Sequence, residues 1–335
     1  MPWANGLFSP INNALAKDVK VRRLKPKSPL ASALRDARTM TKLVADEPTN
    51  LHQVVPKFPD VVVFVDASKE GAGGTVYSMN KEFEPFTFRV PFPEEIQRML
   101  EKQVKGNTNV TNSDLEALGC VIAFLVVSTN VEVKNKTMAI FCDNTPTVNW
   151  VRKLSSKSKR AARLMRTLAL AMKAAGVSPL ITLSIAGSSN KEADFASRHI
   201  FLNGKMRSNT NFLILFNKQF PTEQGFNLAQ LSPKLTSRVT SEMLTEQSRI
   251  EFWLNPRRYA LNTGNSGFGM LRWQDVRPTS TSQHSQSYQQ SKDSPSASVL
   301  DIMAKEGRLR WAQYSSRFLP SARPLFWRDT PYTTR

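Results

Sequence analysis

From Val61 to Ser68 the chain reads VVVFVDAS, a nearly continuous β-branched and aromatic run broken near its end by one carboxylate, Asp66. Such a run suits a strand covered on both faces. A carboxylate inside it is costly unless a metal or a cation offsets the lost hydration. The arrangement recurs at MAIFCDN, where a second apolar strand ends at Asp143 and Asn144. Ligands gather at the carboxyl ends of strands in α/β sheets. If the two strands lie side by side, both carboxylates reach one edge, and carboxylates with water are the ligands Mg²⁺ prefers. Two such ions about 3.5 to 4 Å apart activate water and stabilise a leaving oxygen in phosphodiester hydrolysis.

The surrounding pattern fits that placement. KEGAGG carries Gly71, Gly73 and Gly74, which predicts a tight turn into a second strand over Thr75 to Met79, with a third near Phe86 to Val90. After a polar connection, Leu115, Leu118, Ile122 and Leu125 recur at helical spacing, predicting a helix over Ser113 to Ser128 with Ser113 as N-cap. A helix over Val148 to Leu154 follows the Asp143 strand. Lys157 to Ala175 is amphipathic, with Leu164, Leu168, Ala171 and Met172 on one stripe. A fifth strand at Leu180 to Ile185, a loop at Gly187 and a short helix at Glu192 to Ser197 complete a βββαβααβα unit. The interleaving predicts an α/β fold with a mixed five-stranded sheet flanked by helices.

This unit occupies residues 58–203 of four segments. Residues 1–57 are a lead-in or connection, with a mostly basic run at Lys17 to Lys27 interrupted by Asp18 and Pro26, a helix over Leu30 to Ala45 with apolar residues at Leu30, Ala33, Leu34 and Ala37, and a turn at Pro48. Residues 204–275 form a helical extension, with helices at Phe212 to Phe216 and Lys234 to Leu254. Its TGNSGFG has no strand before it and no GK[ST] after it, so it reads as a surface loop rather than a nucleotide site. Residues 276–335 are low-complexity, Ser/Gln/Thr-rich from Pro278 to Ser298, and expected to be mostly disordered, with a small docking segment or nothing ordered at Trp311 to Arg335.

Charge narrows the partners. Lys and Arg number 46 against 27 Asp and Glu, a formal +19, which makes nucleic acid the default partner through phosphate contact and counterion release. A membrane is a poor alternative, because the longest apolar run, Cys120 to Val127, is far short of the ~20 residues of a spanning helix. The opening MPWANGLFSP has neither a basic n-region nor an apolar h-region, and there are two cysteines, so an intracellular setting, cytoplasm or nucleus, is expected. Cys120 and Cys142 lie in apolar stretches without a CxxC or Cys/His cluster and read as small core residues, not as a disulfide or zinc ligands.

Two further acids fall where they can join Asp66 and Asp143: Glu116 in the first turn of the intervening helix and Asp194 in the last. Taken singly, each has an ordinary explanation. Ser113 to Glu116 spells a capping box, Asp194 is a favourable partner for a helix dipole, and Asp143 before Asn144 suits a turn. Taken together, FVDASKEGAGG, NSDLEALG, FCDNTPTVNWV and IAGSSNKEADFASR resemble, in order and spacing, the ribonuclease H domain of retroelement reverse transcriptases over about 140 residues. LVADEPTNLHQVV and the segments reaching about Trp273 resemble the flanks of such polyproteins more weakly.

The resemblance implies a ribonuclease H-like fold and metal-dependent endonucleolytic hydrolysis of RNA in RNA:DNA hybrids. It implies Asp66, Glu116, Asp143 and Asp194 as catalytic ligands of two Mg²⁺, with Mn²⁺ as substitute, and a reverse transcriptase polymerase domain as a partner. Related sequences often carry His and Pro in the loop before the last helix, where this chain has Ser184 and Ala186, which implies weaker turnover or product release. Arg152, Lys153, Lys157, Lys159, Arg160 and Arg163, with Arg166, form a stripe without an acid between Val151 and Ala175, expected to grip phosphates; Ser68 and Asn144 are expected polar contacts. Transposases of this fold place the glutamate after the second aspartate, and proofreading exonucleases place a second acid two residues after the first; neither pattern is present. No adjacent aspartate pair on a hairpin supports a polymerase. The rival from another class is a catalytically silent nucleic-acid-binding relic.

Overall fold

The structure is a computed structural model that describes residues 7–8, 11–12, 14–16, 25, 28–46, 58–104, 110–177, 180–244 and 270–278. All lie in one unit, Met1–Ser282. The basic run at Lys17 to Lys27 apart from Lys25, the Pro48 turn, TGNSGFG, the distal part of the Lys234 to Leu254 helix and the tail beyond Pro278 lie outside the described residues.

The architecture is α/β, a mixed six-stranded sheet flanked by helices. Strands β1 (Val61–Ala67), β2 (Gly71–Ser78) and β3 (Phe86–Pro91) form the expected meander. Helices α2 (Glu94–Val104) and α3 (Asn112–Asn130) lead to β4 (Met138–Cys142), then α4 (Thr145–Lys153), α5 (Lys159–Ala175) and β5 (Leu180–Ser184). A single 3₁₀ turn, Gly187–Ser189, precedes α6 (Lys191–Arg198). A small hairpin, β6 (Phe201–Leu202) with β7 (Lys205–Met206), precedes α7 (Asn209–Gln219), β8 (Asn227–Ala229), α8 (Pro233–Leu244) and α9 (Trp273–Val276). Helix α1 (Pro29–Asp46) stands before the sheet in sequence.

The sheet order is β5-β4-β1-β2-β3-β8, so the expected five strands become six. The sixth comes from the segment expected to be a helical extension: Asn227, Leu228 and Ala229 pair in parallel with Phe86, Thr87 and Phe88. A three-residue strand carries no period of its own, and only the open edge of β3 creates it. Arg89 fastens the preceding segment to the sheet. It donates to the carbonyls of His199 and Ile200 at 3.4 Å, to the Arg207 carbonyl, and to Asn209 Oδ1 at 3.1 Å, and it lies 4.5 Å from the Phe212 ring centroid.

Strand alternation divides the interior in two. Val61, Val63 and Val65 of β1 with Met138, Ile140 and Cys142 of β4 face a core that includes Leu118, Ile122, Leu125, Leu164 and Leu168 of α3 and α5. Helix α3 is apolar on all sides because it is the central helix of this core. By length and composition it could cross a membrane, but 83% of that window is buried inside the fold. On the other side an aromatic core of Phe212, Phe216, Phe220 and Phe226 packs with Ala196 of α6. Phe195 adds edge-to-face contacts to Phe216 and Phe220 at 5.8 and 5.4 Å.

Local expectations shift in informative places. Gly71, Gly73 and Gly74 lie inside β2 rather than in the turn, which is made by Ser68 to Glu70. A side chain at Gly73 would overlap the backbone of Ala196 and Ser197, so glycine there lets α6 lie directly on the sheet. The polar connection contains α2, whose Ile96, Met99 and Leu100 pack on the core. In α1 the buried stripe is Ala33, Ala37 and Met40, while Leu34 is 40% exposed.

Candidate metal and carboxylate site

Strand pairing accounts for the meeting of Asp66 and Asp143. β1 and β4 are parallel neighbours in a register that matches Val61 with Met138 and Phe64 with Phe141. Carried two residues further, that register sets Asp66 beside Asp143. Both point away from the α3 core, on the side of α6, because Val65 and Cys142 point into it. Phe64 and Phe141, one pleat back on the same side, stack with centroids 5.0 Å apart and form the apolar floor beneath the two acids.

Glu116 comes from α3, and its ordinary explanation as a capping residue does not hold. Thr111 is the N-cap: its hydroxyl accepts the Asp114 N–H at 3.2 Å, and Asp114 Oδ2 accepts the Thr111 N–H at 3.0 Å. The capping box begins two residues earlier than Ser113, and Glu116 is released to point inward. It is 2% exposed. Burial, then the neighbouring Cys142, Asp66 and Asp143, pushes its carboxyl up to about 10. Its oxygens accept the Ala67 backbone N–H and, at 3.8 Å, the Cys142 thiol.

Helix α6 supplies the rest. Asp194 is partly exposed and pairs with Arg198 Nε at 2.5 Å. Ser197, one turn on from Asp194, donates its hydroxyl to Asp66 Oδ2. Burial raises the Asp66 carboxyl, partly opposed by that Ser197 bond and reinforced by the charges of Asp143 and Asp194. Asp143 is likewise raised, by burial and by Asp194. The Arg198 guanidinium is raised by its bond to Asp194, with further help from Asp66 and Asp143, and is the cation at the mouth of the cluster.

Three side chains seat α6 on the sheet. Asn190 donates to the Val65 carbonyl at 2.9 Å, next to Asp66. Glu192 Oε2 accepts the hydroxyls of Tyr77 at 2.6 Å and Thr75 at 3.1 Å. Ser68 donates to the Ser197 carbonyl at 2.7 Å, tying the β1–β2 turn to the same helix. Gly187 crosses close to Asp143, where an added Cβ would lie 3.0 Å from Oδ2.

The sequence pattern marks the four acids but gives no signal for Ser197, Arg198, Asn190 and Glu192, whose contacts exist only once α6 is folded onto β1 and β2. It also marks Cys142 as a core thiol. It is buried and free, as expected, yet its sulfur, Glu116 and Asp143 offer ligand atoms all within 4.8 Å of one another, a group that could hold a metal ion.

The basic stripe separates into different environments. Arg152 and Lys153 end α4 exposed, and Lys157 and Lys159 are exposed at the start of α5. Arg160 lies half-buried beside them. Arg163 instead donates to the carbonyls of Glu242 and Met243 at 2.8 and 3.2 Å, closing the end of α8, and Arg166 is buried against Asp36 at 3.4 Å. Asn144 is the N-cap of α4, its Oδ1 accepting the Thr147 N–H at 3.0 Å.

Comparison with protein families, with curated proteins and with solved structures finds no match.

Proposed function

We propose that the chain is a ribonuclease H-type endonuclease of a retroelement reverse transcriptase that hydrolyses the RNA strand of RNA:DNA hybrids with Mg²⁺, or with Mn²⁺ in its place. The observation that carries this reading is the convergence of Asp66, Glu116, Asp143 and Asp194, from β1, α3, β4 and α6, on one edge of the sheet. The strand order supports it as well: in β3-β2-β1-β4-β5 only β2 runs against the others, an arrangement compatible with a ribonuclease H-like fold.

The donor set fits hard cations. The four carboxyls act on one another electrostatically, with Arg198 as the cation beside them, and burial holds Glu116, Asp66 and Asp143 above their usual range, a cost that bound cations relieve. Bound there, two divalent ions supply an activated water and neutralise charge on the phosphate. Asp66, Glu116, Asp143 and Asp194 would hold the ions, Glu116 from the buried side and the partly exposed Asp194 from the solvent side. Ser197 orients Asp66, and Arg198 keeps Asp194 turned toward the cluster. Arg152, Lys153, Lys157, Lys159 and Arg160, exposed or half-buried at the end of α4 and the start of α5, would contact the phosphate backbone, which favours recognition by helix geometry and 2′-hydroxyls over base sequence. A polymerase domain is the partner this activity calls for.

A silent nucleic-acid-binding module is the second reading. One feature favours it: where sequences of the resembled family often carry His and Pro, this chain has Ser184, the last residue of β5, and Ala186, in the loop that follows. Cleavage of a labelled RNA:DNA hybrid, with single-stranded RNA and duplex DNA as controls, separates the two. The nuclease reading expects hybrid-only cutting that needs Mg²⁺ and disappears with chelator and in Asp143→Asn. A hybrid bound but uncut in either metal refutes it and leaves the binding module.

A further inference from the structure

We propose that the inner edge of the carboxylate cluster is a site for one thiophilic divalent cation of the zinc or cadmium class, held by the Cys142 thiolate with the Glu116 and Asp143 carboxylates. Strand alternation sends Cys142 toward α3 while its neighbour Asp143 points to the other side, so the end of β4 presents a sulfur and an oxygen ligand around one strand terminus. Glu116 lies across from the sulfur, with Oε2 at 3.8 Å. The sulfur also accepts the Asn144 N–H at 3.4 Å, so a donor already points at it from the solvent-side end of the strand; the Cys120 thiol and burial hold the Cys142 thiol well above its ordinary range, so the proton leaves only when a metal takes its place. Glu116 is almost wholly buried and aimed at this point, and Asp143 is exposed and forms the entrance.

The three ligand atoms lie within 4.8 Å of one another. Around a tetrahedral zinc, with Zn–S of about 2.3 Å and Zn–O of about 2.0 to 2.2 Å, donors stand roughly 3.5 Å apart. Closing the remainder requires side-chain movement of about 1 Å, which the exposed Asp143 can supply. Water completes the fourth position. Binding breaks the S–H bond of Cys142 and the O–H bond of Glu116, forms metal–sulfur and metal–oxygen bonds, and releases both protons to solvent; no electron transfer is involved. Sulfur is a soft ligand that Mg²⁺ does not take, so the mode belongs to softer ions. Because Glu116 and Asp143 also belong to the hard-cation set, the two occupancies exclude each other. If the chain is the nuclease proposed above, a thiophilic ion therefore stops its cleavage.

The test is a Cd²⁺ titration of the full chain in metal-free buffer, read by the ultraviolet sulfur-to-cadmium charge-transfer absorption, with circular dichroism to verify folding. A saturable band at one equivalent is expected, surviving in Cys120→Ala, whose thiol neighbours Cys142. It should vanish in Cys142→Ala and require at least about tenfold more Cd²⁺ in Asp143→Asn, as loss even of an outer-shell partner would do. Absence of the band in the wild type, its persistence in folded Cys142→Ala, its dependence on Cys120 or an unchanged affinity in Asp143→Asn each overturns the proposal. Should Cys142→Ala not fold, Asp143→Asn decides. A band in a chain that never cleaves hybrid refutes the nuclease and leaves the cation site; cleavage without a band refutes the cation site alone.

Discussion

Replacing Glu116 by Gln should stabilise the metal-free protein at neutral pH and remove most of what Mg²⁺ adds. The carboxyl is buried beside Cys142, Asp66 and Asp143 and is pushed from 4.5 to about 10. A group whose folded value lies above its unfolded one holds its proton more tightly in the folded state. Its contribution is fully present below pH about 4.5 and is lost as pH rises toward about 10. At about 1.4 kcal/mol per pH unit, the loss by neutral pH is on the order of 3 kcal/mol. Gln has the shape of the protonated acid, can keep the bond from the Ala67 N–H, and has no proton to lose. At about 2 to 4 °C per kcal/mol for a domain of this size, the variant should melt roughly 6 to 12 °C higher near pH 7 and about equally near pH 4. The assay is thermal unfolding of both proteins in chelator across that range, repeated with Mg²⁺. Asp66 and Asp143 titrate in both proteins, so the difference between the two curves is the quantity to read. Parallel pH dependences, or a variant less stable at neutral pH, would refute the burial argument. An equal Mg²⁺ gain in both proteins would remove Glu116 from the metal site.

Mg²⁺ or Mn²⁺ should raise the melting temperature of the wild type, and Asp66→Asn should lose most of that gain, because the cluster is repulsive when its acids ionise without a cation; differential scanning calorimetry with and without metal reads this, and an undiminished gain in the variant would reject the assignment. The stripe should divide by function. Replacing both Arg152 and Lys153 by Ala should reduce the slope of log affinity for hybrid against log salt by up to about 0.9 per lost phosphate contact. Arg163→Ala should instead lower stability by on the order of 1 to 3 kcal/mol by abandoning two carbonyls of α8, with the slope unchanged. A reduced slope in Arg163→Ala would return that residue to the nucleic-acid face.

The strands were legible because burial on both faces leaves an unmistakable apolar run, and Asp66 was legible because it violates that run. Glu116 was harder. Ser113 and Glu116 match a capping box as well as Thr111 and Asp114 do, and only the helix start, two residues upstream of the expected one, releases the glutamate inward. The glycines of KEGAGG read as a turn because local chemistry favours it. In the fold, Gly73 answers a nonlocal demand, the passage of α6 across β2. Helix α2 left a signal in Glu94, Glu95, Ile96, Met99 and Leu100 that its polar surroundings obscured.

What the sequence determined by itself is what depends on neighbours along the chain: apolar periodicity, the carboxylates that end two strands, and the excess of positive charge. The tertiary structure decided what depends on neighbours across it. The sixth strand exists because β3 has an open edge. Ser197 and Arg198 serve the site because α6 lies over Asp66, and Arg163 became a cap for α8 because that helix ends beside it. Cys142 meets Glu116 because pleating turns it away from Asp143. Each of these contacts joins residues remote in sequence, where a local pattern carries no information about geometry.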